Sequence, residues 1–524
     1  MLNILKRQIA EVPNVTQIND VKDHDSVVKK GSRVFRNAMR WFKAGVNDRL
    51  TSAWPSTPLP ADLIVERYQR TLVARSREQC ANNDYGRNYL RLTHQNIVGP
   101  QGVTLQAQIR NAQGKLDNKL CDAVEQEWAN WNKKHHCDIQ GKKSWRSIQR
   151  SCVISAAKDG EFFVRIIRGA DAGNYGFAVQ MIDAQRCPIM YSAKLSGGRF
   201  IRQGIEFNQF GRPIAYYFDS DSEEEKQYRF GSGNYIRVPA EQIIHGYLEE
   251  IVGQKRGLPW TATSLFRMKQ LSEFEDSAIT NARISANKMG FIQWDKDATG
   301  PEFDPEEDEI IIESQAGEFP VLPQGAQLKE WSPNYPTGEF LPFHKAMLRS
   351  MAAGMGVLYN NLASDLEGVN FSSIRQGTLD EREHWKELQQ WLIEALIEPV
   401  YYAWLEYALL KGVIKKGNVA LKAVDIERYT QVTWQPRRWA WIDPSADVTA
   451  AEKSKNNMLT SAGAIIREQG KDPQTVWAEI ARDTRAMIDE LVGQGISQET
   501  AEEMILASMG RKQTAAVGRP KEGM

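Results

Sequence analysis

The chain has 524 residues, of which 42% are hydrophobic and 25% are charged, the usual balance of a globular protein with a substantial core. Lysine and arginine number 66, as do aspartate and glutamate, so the net charge gives no general attraction to nucleic acid. No apolar stretch approaches the roughly 20 residues of a bilayer-spanning helix, and the N-terminus lacks a signal-peptide core. We therefore expect a protein that is cytosolic or carried inside a particle, without membrane contact.

The cysteine pattern predicts neither a disulfide framework nor a zinc site. The chain contains five cysteines, an odd number, and none of them has CxxC spacing. We expect these thiols to be reduced and mostly buried.

The first 60 residues carry an excess of positive charge. Residues 1–50 contain ten Lys or Arg against five Asp or Glu. Charge runs of this kind are usually solvated, so the sequence predicts a basic and partly disordered arm.

Residues 61–256 mix helical and strand patterns. One helical pattern runs from Leu63 to Val98 and stops at a Gly-Pro pair. Two further helical patterns follow, near Leu116 to Trp131 and Trp145 to Lys158. From Glu161 to Leu248 the pattern changes to short alternating strands and turns, so this section is predicted to be a mixed α/β unit.

Residues 257–291 predict one long amphipathic helix, and residues 292–341 then carry short strands and prolines. Within the second section, residues 293–318 hold ten carboxylates against the single Lys296, a net charge of −9. One copy of such a segment is a solvated loop. Many copies around a ring would form an intense negative collar.

The chain becomes helical again at residues 342–359 and continues through a polar loop, residues 360–373, into a very long helix. From Ser373 to Leu410, apolar residues recur every three to four positions. A helix of this length needs support along its side from other parts of the protein. Pro399 is expected to kink it, because the proline ring removes one backbone donor and crowds the preceding turn.

No motif in the sequence carries enzyme chemistry. Walker A, GxGxxG, HExxH and GxSxG patterns are absent and the histidines are scattered, so no catalytic residue, metal or cofactor is predicted. One enzymatic alternative stays open, a metal-dependent nuclease that holds Mg²⁺ in the acidic residues 302–309. Against it, these carboxylates lie in a proline-rich run with no Lys or His to complete a site. Another alternative is a structural or scaffold protein whose long helices form a bundle.

The amino-acid sequences of four segments are distinctive. The longest, from Met351 to Gly412, reads MAAGMGVLYNNLASDLEGVNFSSIRQGTLDEREHWKELQQWLIEALIEPVYYAWLEYALLKG. The others, in chain order, read RTLVARSREQCANNDYGRNYLRLTHQNIVG, RGLPWTATSLFRMKQLSEFEDSAITNARISANKMGFI and TWQPRRWAWIDPSADVTAAEK. These segments, in this order, resemble lambda-type portal proteins of tailed phages over nearly the whole chain. The longest resembles the tunnel-loop region of that family.

The resemblance implies an α+β fold, the phage portal fold, assembled as a cyclic ring. It has a mixed α/β wing, long stem helices, a small β-containing clip, a kinked tunnel helix and a helical crown. The implied sections are the basic arm 1–60, wing 61–256, first stem helix 257–291, clip 292–341, second stem helix 342–359, tunnel loop 360–373, tunnel helix with the rest of the wing 374–445, crown 446–509 and disordered tail 510–524.

The resemblance also implies a function. A portal of this family is a ring of about twelve subunits at one capsid vertex, through which double-stranded DNA is packaged, retained and ejected, and to which the tail is joined. The implied partners are further copies of the chain, the DNA, the large terminase subunit, the head-tail adaptor, and the major capsid and scaffold proteins. The implied location is the virion, with the host cytoplasm during assembly, and the implied role is structural and not enzymatic.

Two groups of residues are implied as contact sites. The predicted DNA-facing residues, in the tunnel loop and stem, are Asp365, Glu367, Gly368, Asn370, Lys269, Arg283 and Lys288. The predicted contacts of the clip with terminase or adaptor are Asp304, Glu306, Glu307, Asp308 and Glu309. The alternative for each charge is an ordinary solvated helix face with i,i+4 pairs.

Overall fold

The computed structural model describes residue 49 and residues 54–219, 234–286, 290–294, 326–330, 338–440 and 442–508. The chain divides into two units, Met1–Pro60 and Ala61–Met524, and every helix and strand named below belongs to the second. The predictions for most of the basic arm, for Lys288, for the five clip carboxylates between Asp304 and Glu309, and for the tail 510–524 lie outside the described residues.

Helices make up most of the described part. In chain order they are α1 (Ala61–Asn82), α2 (Asp84–Ile97), α3 (Asn118–Trp131), α4 (Lys134–Cys137), α5 (Trp145–Asp159), α6 (Leu265–Ala286), α7 (Phe340–Gly354), α8 (Tyr359–Ala363), α9 (Phe371–Leu392), α10 (Glu398–Leu410), α11 (Ile426–Tyr429), α12 (Pro444–Asn456), α13 (Ala462–Glu468), α14 (Pro473–Gly493) and α15 (Gln498–Ser508). A π-helical turn, Ile393–Ile397, joins α9 to α10.

The strands form antiparallel sheets. In chain order they are β1 (Thr104–Ala107), β2 (Glu161–Arg168), β3 (Phe177–Ile182), β4 (Ala193–Lys194), β5 (Phe200–Arg202), β6 (Ile205–Phe207), β7 (Pro213–Asp219), β8 (Tyr235–Pro239), β9 (Ile243–Tyr247), β10 (Gly290–Trp294), β11 (Ala326–Glu330), β12 (Lys415–Lys416), β13 (Val419–Ala420) and β14 (Val432–Gln435). The larger sheets have the orders β3-β2-β9 and β4-β5-β6-β7-β8, and the pairs are β1-β14, β10-β11 and β12-β13. Helices and open antiparallel sheets together give a mixed α+β fold.

The central strand β2 serves two separate cores. Successive side chains of a strand point to opposite faces, so neighbours in β2 enter different layers. Phe162 packs in the larger core, where its ring lies 5.9 Å from that of Trp391 on α9. Phe163 packs in the smaller core, with its ring 5.4 Å from that of Phe218 on β7. The strand therefore joins the helical layer to the five-stranded sheet.

Aromatic side chains fill the larger core around α10. Trp128 on α3 has ring centroids 4.9 Å from Trp131, 5.0 Å from Trp404 and 5.4 Å from Tyr401. All four side chains are at most 2% exposed. Rings of this size dominate core energetics because each removes a large apolar area from water. The helix that follows the predicted loop is thus buried among elements from the first half of the chain.

The predicted long helix is confirmed, with bounds close to those expected from the sequence. It runs from Phe371 to Leu410 through α9, the π turn and α10. The irregular turn lies directly before Pro399, which is in the first turn of α10. Proline has no backbone N–H to give to the carbonyl four residues earlier, so the regular hydrogen-bond ladder cannot continue there. The structure thus has a local change of helix type beside Pro399, whereas the kink itself stays a prediction.

The structure divides the first helical pattern, Leu63 to Val98, into α1 and α2. Asn83 is the N-cap of α2, and its Oδ1 accepts hydrogen bonds from the backbone N–H groups of Tyr85 at 3.0 Å and Gly86 at 3.1 Å. Asparagine is among the residues that best satisfy the free N–H groups at a helix start. The apolar spacing did not reveal this break, because the same face is buried on both sides of it.

A fully buried ion pair joins the start of β2 to the segment of the chain that leads into α6. Glu161, the first residue of β2, and Arg256 are 0% and 1% exposed. The Nη2 of Arg256 donates to Glu161 Oε1 at 2.6 Å and its Nε donates to Oε2 at 2.8 Å. Burial by itself raises the pKa of Glu161, but Arg256 and His245 outweigh it and lower the pKa to about 2. The carboxylate therefore stays charged across the physiological pH range.

Three further groups complete the shell of the Glu161 carboxylate. Gln69 on α1 donates to Oε1 at 3.1 Å, and the backbone N–H of Gly257 donates to Oε2 at 3.2 Å. His245 on β9 lies 2.9 Å from Oε2 through its Nε2, and burial lowers the pKa of this histidine. A buried charge is tolerated when its lone pairs are satisfied in this way. One carboxylate thus fixes the relative positions of α1, β2, β9 and residue 257.

The sequence predicts that the first long helix opens at Gly257, whereas α6 begins at Leu265. The intervening residues pack against the end of α5, where Gly160 has a φ of +93°. A Cβ placed on Gly257 would lie 2.0 Å from the carbonyl oxygen of Gly160. This backbone contact has no room for a side chain on Gly257, and it occupies residues that would otherwise form the first helical turns.

The five cysteines are free and buried, as the sequence predicts. Burial raises the pKa of the thiols of Cys137 and Cys187 to about 12 and that of Cys80 to about 11. These groups are therefore neutral thiols near neutral pH, and they pack as small apolar side chains. Among the helices that the structure describes, none is long and apolar enough to cross a bilayer.

Replacing Arg256 by methionine should destabilise the fold strongly. Arg256→Met leaves the Glu161 carboxylate buried without its guanidinium partner, a change that typically costs about 3–5 kcal/mol. Lys386→Met is the matched control, since Lys386 forms a surface pair with Glu383 at 2.6 Å and is 46% exposed. Loss of such a pair changes stability by less than about 1 kcal/mol. Urea unfolding followed by tryptophan fluorescence measures both, and similar midpoints for the two variants would contradict the role of this pair.

Candidate functional site

The predicted loop after α8 is closed by hydrogen bonds around one aspartate. Helix α8 ends at Ala363, and its C-cap residue Ser364 has a left-handed φ of +54°. The Oδ1 of Asp365 accepts from the backbone N–H of Glu367 at 2.9 Å, and its Oδ2 accepts from the hydroxyl of Tyr359 at 2.6 Å. Asn360 donates from Nδ2 to the carbonyl oxygen of Asp365 at 2.7 Å. The side chain of Asp365 therefore shapes the turn, as aspartate commonly does in loops.

A lysine from α7 binds both carboxylates of this loop. The Nζ of Lys345 lies 3.2 Å from Oδ2 of Asp365 and 3.0 Å from Oε2 of Glu367. Hydrogen bonds from Tyr359, the loop backbone and Lys345 lower the pKa of Asp365 to about 2. The bonds to Glu367 and Asp365 raise the pKa of Lys345. We call Lys345, Asp365 and Glu367 the loop latch.

The sign of these pKa shifts fixes the pH range of the loop latch. A carboxyl with a lowered pKa contributes fully above its ordinary value and loses that contribution as the pH falls towards the folded pKa. For Asp365 that loss begins below the ordinary value of 3.8 and proceeds towards about 2. The raised pKa of Lys345 keeps the ammonium charged beyond its ordinary value of 10.5. Asp365 and Lys345 are therefore both charged throughout the neutral range.

Two predicted loop residues have local structural roles. Gly368 has a φ of +68°, a conformation that favours glycine, although open space surrounds its Cα. Asn370 is the N-cap of α9, and its Oδ1 accepts from the backbone N–H and the hydroxyl of Ser373, each at 2.8 Å. Together they reverse the chain and start the long helix.

The base of the loop is attached to two helices of the core. On α2, Asn88 donates from Nδ2 to the carbonyl oxygens of Leu362 at 2.7 Å and Asn361 at 3.0 Å. Asn361 in turn donates a hydrogen bond to the carboxyl group of Glu381 on α9. Burial raises the pKa of Glu381. The loop thus projects from a fixed base.

Helices α6 and α7, which flank the predicted clip in sequence, pack against each other. The Nε2 of His344 on α7 lies 2.6 Å from Oε1 of Glu275 on α6. Phe274 and Phe340 stack with ring centroids 5.5 Å apart. Between these two helices in the chain, β10 and β11 pair antiparallel, with Trp294 opposite Ala326. The two ends of the undescribed segment 295–325 are therefore adjacent.

The predicted DNA-facing residues fall into separate groups. Asp365, Glu367, Gly368 and Asn370 share the loop, whereas Lys269 on α6 forms an i,i+4 pair with Glu273 at 3.0 Å. Both partners of that pair are exposed by more than half, as in the ordinary surface pair of the alternative interpretation. Arg283 lies exposed near the end of α6. Contact of any of these residues with DNA stays a prediction.

Sequence reasoning missed Lys345 and two exposed apolar residues of the loop. Leu366 is 65% exposed and Phe371 is 59% exposed, although both are large and apolar. Their signal in the sequence is an apolar residue on each side of a short polar turn. Lys345 gave no comparable signal, because its partners are about twenty residues away in the chain.

Across the residues that the structure describes, no group of three or more His, Cys, Asp or Glu side chains is placed to hold a metal ion. The charged groups of the loop, Lys345, Asp365 and Glu367, are paired with one another.

Comparison with known proteins places this architecture in a family. Residues 47–389 match the model described as phage portal protein, lambda family. A probable portal protein of Halomonas phage phiHAP-1 is 33% identical over 468 residues, which cover 88% of this chain and 89% of that protein. Portal protein B of Escherichia phage lambda is 21% identical over 454 residues, covering 78% and 83% of the two chains.

Solved structures from a gene transfer agent are also similar. The alignment with a chain of the virion of the native particle covers 77% of this chain and 94% of that one, with 13% identity and a TM-score of 0.41. A chain from the neck of the empty particle gives the same coverage and identity, with a TM-score of 0.42. The family match spans more than half of the sequence, and the Halomonas phage relative is similar over most of both chains. The chain therefore belongs to the lambda family of phage portal proteins, which function at the capsid vertex.

Proposed function

We propose that copies of this portal protein close into a ring of about twelve subunits, whose axial channel passes double-stranded DNA into and out of the capsid. Membership of the portal family is the observation that carries the proposal. The ring docks the large terminase subunit during packaging, retains the genome and later joins the tail through an adaptor. The chain acts structurally, and ATP hydrolysis belongs to the terminase.

Exposed apolar residues on the long helices support assembly with neighbouring copies. On α6, Phe266 is 71% exposed and Ile279 is 52% exposed. On α9 and α10, Leu379 and Tyr402 are each more than 40% exposed, although the other faces of these helices are buried. Apolar area on long helices is stabilised when another protein covers it, and a cyclic ring supplies the same neighbour to every subunit.

The 360–373 loop is the proposed tunnel loop. In this proposal Asp365, Glu367, Gly368 and Asn370 face the DNA together with Lys269, Arg283 and Lys288 of the stem. A lining of Lys and Arg alone would bind phosphate strongly, which would oppose translocation. The loop latch supports the proposal, because Lys345 neutralises part of the carboxylate charge and leaves mixed signs at the loop. In a channel of mixed charge, attraction of the duplex by cations and its repulsion by carboxylates largely cancel, so the duplex is bound only weakly.

The segment 292–341 is the proposed clip. Its carboxylates Asp304, Glu306, Glu307, Asp308 and Glu309 would meet terminase or adaptor. The pairing of β10 with β11 supports a clip that is one continuous section of the chain, because these two strands of the section lie side by side. Repetition around the ring would turn one acidic segment into a collar of negative charge. Capsid and scaffold proteins are the proposed partners of the wing, and residues 446–509 form the proposed crown.

Negative-stain electron microscopy with mass determination on the purified full chain tests the ring. We expect closed rings with an axial hole wide enough for a duplex and a mass near twelve chains of 59.5 kDa. A compact monomer or dimer at every salt concentration would overturn the proposal in favour of a scaffold protein without a channel. Metal-dependent cleavage of DNA would instead favour the nuclease alternative.

Replacing Lys345 by methionine should loosen the proposed tunnel loop without unfolding the protein. Lys345→Met removes the positive partner of Asp365 and Glu367, which then repel each other across the turn. We expect amide hydrogen exchange in the loop to accelerate several-fold in assembled rings, while exchange in β2 is unchanged. The control Lys386→Met removes a surface pair of the same type on α9. Unchanged loop exchange in Lys345→Met would show that the loop latch does not hold the loop.

A further inference from the structure

A cleft lined by arginines lies between α2, α5 and the end of α8. Two adjoining cavities of about 620 Å³ and 410 Å³ share His94 and Arg150 in their walls. The arginines that line them come from three parts of the chain: Arg87 and Arg91 from α2, Arg146 and Arg150 from α5, and Arg437 after β14. We call these five residues with His94 the arginine cleft.

The positive charge of the arginine cleft is not compensated by the described residues. None of its five arginines forms an ion pair with any residue that the structure describes, and Asp84 is the one acidic residue in the two linings. Elsewhere in the fold, some arginines are paired, as Arg77 is with Asp159 at 2.8 Å and Asp183 at 2.7 Å, and others are solvated. What distinguishes the cleft is that five arginines line two adjoining cavities.

Some of the guanidinium donors in the cleft have internal partners, and others have none in the described part of the chain. Arg91 donates to Asn88 Oδ1 at 2.7 Å and Arg146 donates to the carbonyl oxygen of Pro100 at 2.6 Å. Arg437 donates to Asn96 Oδ1 at 2.9 Å. The guanidinium groups of Arg87 and Arg150 have no hydrogen bond to any described side chain or backbone group, and both residues are exposed. Their N–H groups are available to an anion.

The local electrostatics favour the binding of an anion. Burial, followed by the charges of Arg150 and Arg146, lowers the pKa of His94. Burial and the charge of Arg382 lower the pKa of Arg437. Positive groups held close together repel one another, and a bound anion would relieve that repulsion.

The spacing of the donors fits a phosphate backbone. Arg87, Arg91 and His94 recur at i, i+4 and i+7, so they lie along one face of α2 over about 10 Å. Phosphates of one DNA strand advance about 3.4 Å along the helix axis per nucleotide. The guanidinium fork binds phosphate oxygens in pairs, which makes arginine the preferred side chain for this contact. A row of this length covers a few successive phosphates.

The position of the cleft relates it to the proposed tunnel loop. Its larger cavity is also lined by Leu362, Ala363 and Ser364, the residues that lead into that loop. The carboxylates of the loop are held by Lys345, so they do not fill the cleft in the same chain. Two side-chain amides also line the cavities, Asn88 and Gln95, and Asn88 already donates to backbone carbonyls. The arginines outnumber these amides, so the cleft offers a ligand mainly positive charge.

We propose that the arginine cleft binds the phosphate backbone of double-stranded DNA, independently of base sequence. The inference rests on the proposed function as a DNA channel and adds to it a specific phosphate contact at the base of the loop. Contacts to phosphate position a duplex and carry no sequence information. The loop would guide the moving duplex, while the arginine cleft would hold it when movement stops.

The test measures binding of a fluorescein-labelled 40-base-pair duplex of mixed sequence to assembled rings by anisotropy, over a series of salt concentrations. The variant is Arg87→Gln/Arg150→Gln, which removes the two arginines without internal hydrogen bonds. The matched control is Arg67→Gln/Arg70→Gln, which removes the same charge from two exposed arginines of α1. A second variant, Arg87→Lys/Arg150→Lys, keeps the charge.

The arginine cleft variant should bind less tightly and with a weaker salt dependence. Each lost phosphate contact reduces the slope of log K against log salt by about 0.9, so the slope should fall by about 2 for one subunit engaged. The lysine variant should keep the original slope, and the α1 control should resemble the unmodified ring. A duplex of a second sequence should give the same constants.

Three results would overturn the inference. An equal loss of affinity in the α1 control would mean that charge acts without a defined site. Unchanged binding in Arg87→Gln/Arg150→Gln rings would exclude the cleft as a DNA contact. Failure of this variant alone to form rings would assign the cleft to an acidic surface of the neighbouring subunit. Failure of the unmodified chain to form rings would instead count against the proposed function, so the two failures are distinguishable.

Discussion

The rest of the fold depends on the buried pair of Glu161 and Arg256. Without the guanidinium, a charged carboxylate would stand in an apolar interior, so every element around it is constrained to satisfy that charge. The strand β2 begins there, and the chain leaves there for α6. Helix α6 begins eight residues after Gly257, whose backbone N–H binds the same carboxylate, and α7 packs against α6. The pair therefore fixes the place from which the chain leaves for α6.

Periodicity predicted the elements whose burial follows a simple repeat. The helix Phe371–Leu410 was predicted within two residues at its start, because its apolar stripe is long and its interruption at Pro399 has a definite chemical cause. The start of α6 was predicted too early. The residues after Gly257 have helical spacing, but backbone contact with Gly160 competes with the helix, and that contact depends on the tertiary fold. The break at Asn83 was missed for the opposite reason, since one cap residue determines it.

The candidate site could be predicted only in part. Composition and family resemblance placed the loop, and its asparagine and glycine have the local roles that such residues commonly have. The partner Lys345 could not be predicted, since α7 and the loop are brought together by the packing of α8 against α2 and α9. The arginine cleft could not be predicted from the sequence either. Its members lie on α2, on α5 and after β14, and each one alone resembles a solvated surface charge.

The buried cysteines have a practical consequence for studying this protein. A thiol reacts with an alkylating dye as the thiolate, and burial keeps all five native thiols both neutral and inaccessible. A cysteine introduced on an exposed loop would then be the one fast-reacting thiol of the folded subunit. Fluorophores could be attached at single positions in assembled particles without first removing native residues. The same protection slows oxidation during the time a particle spends outside a reducing cell.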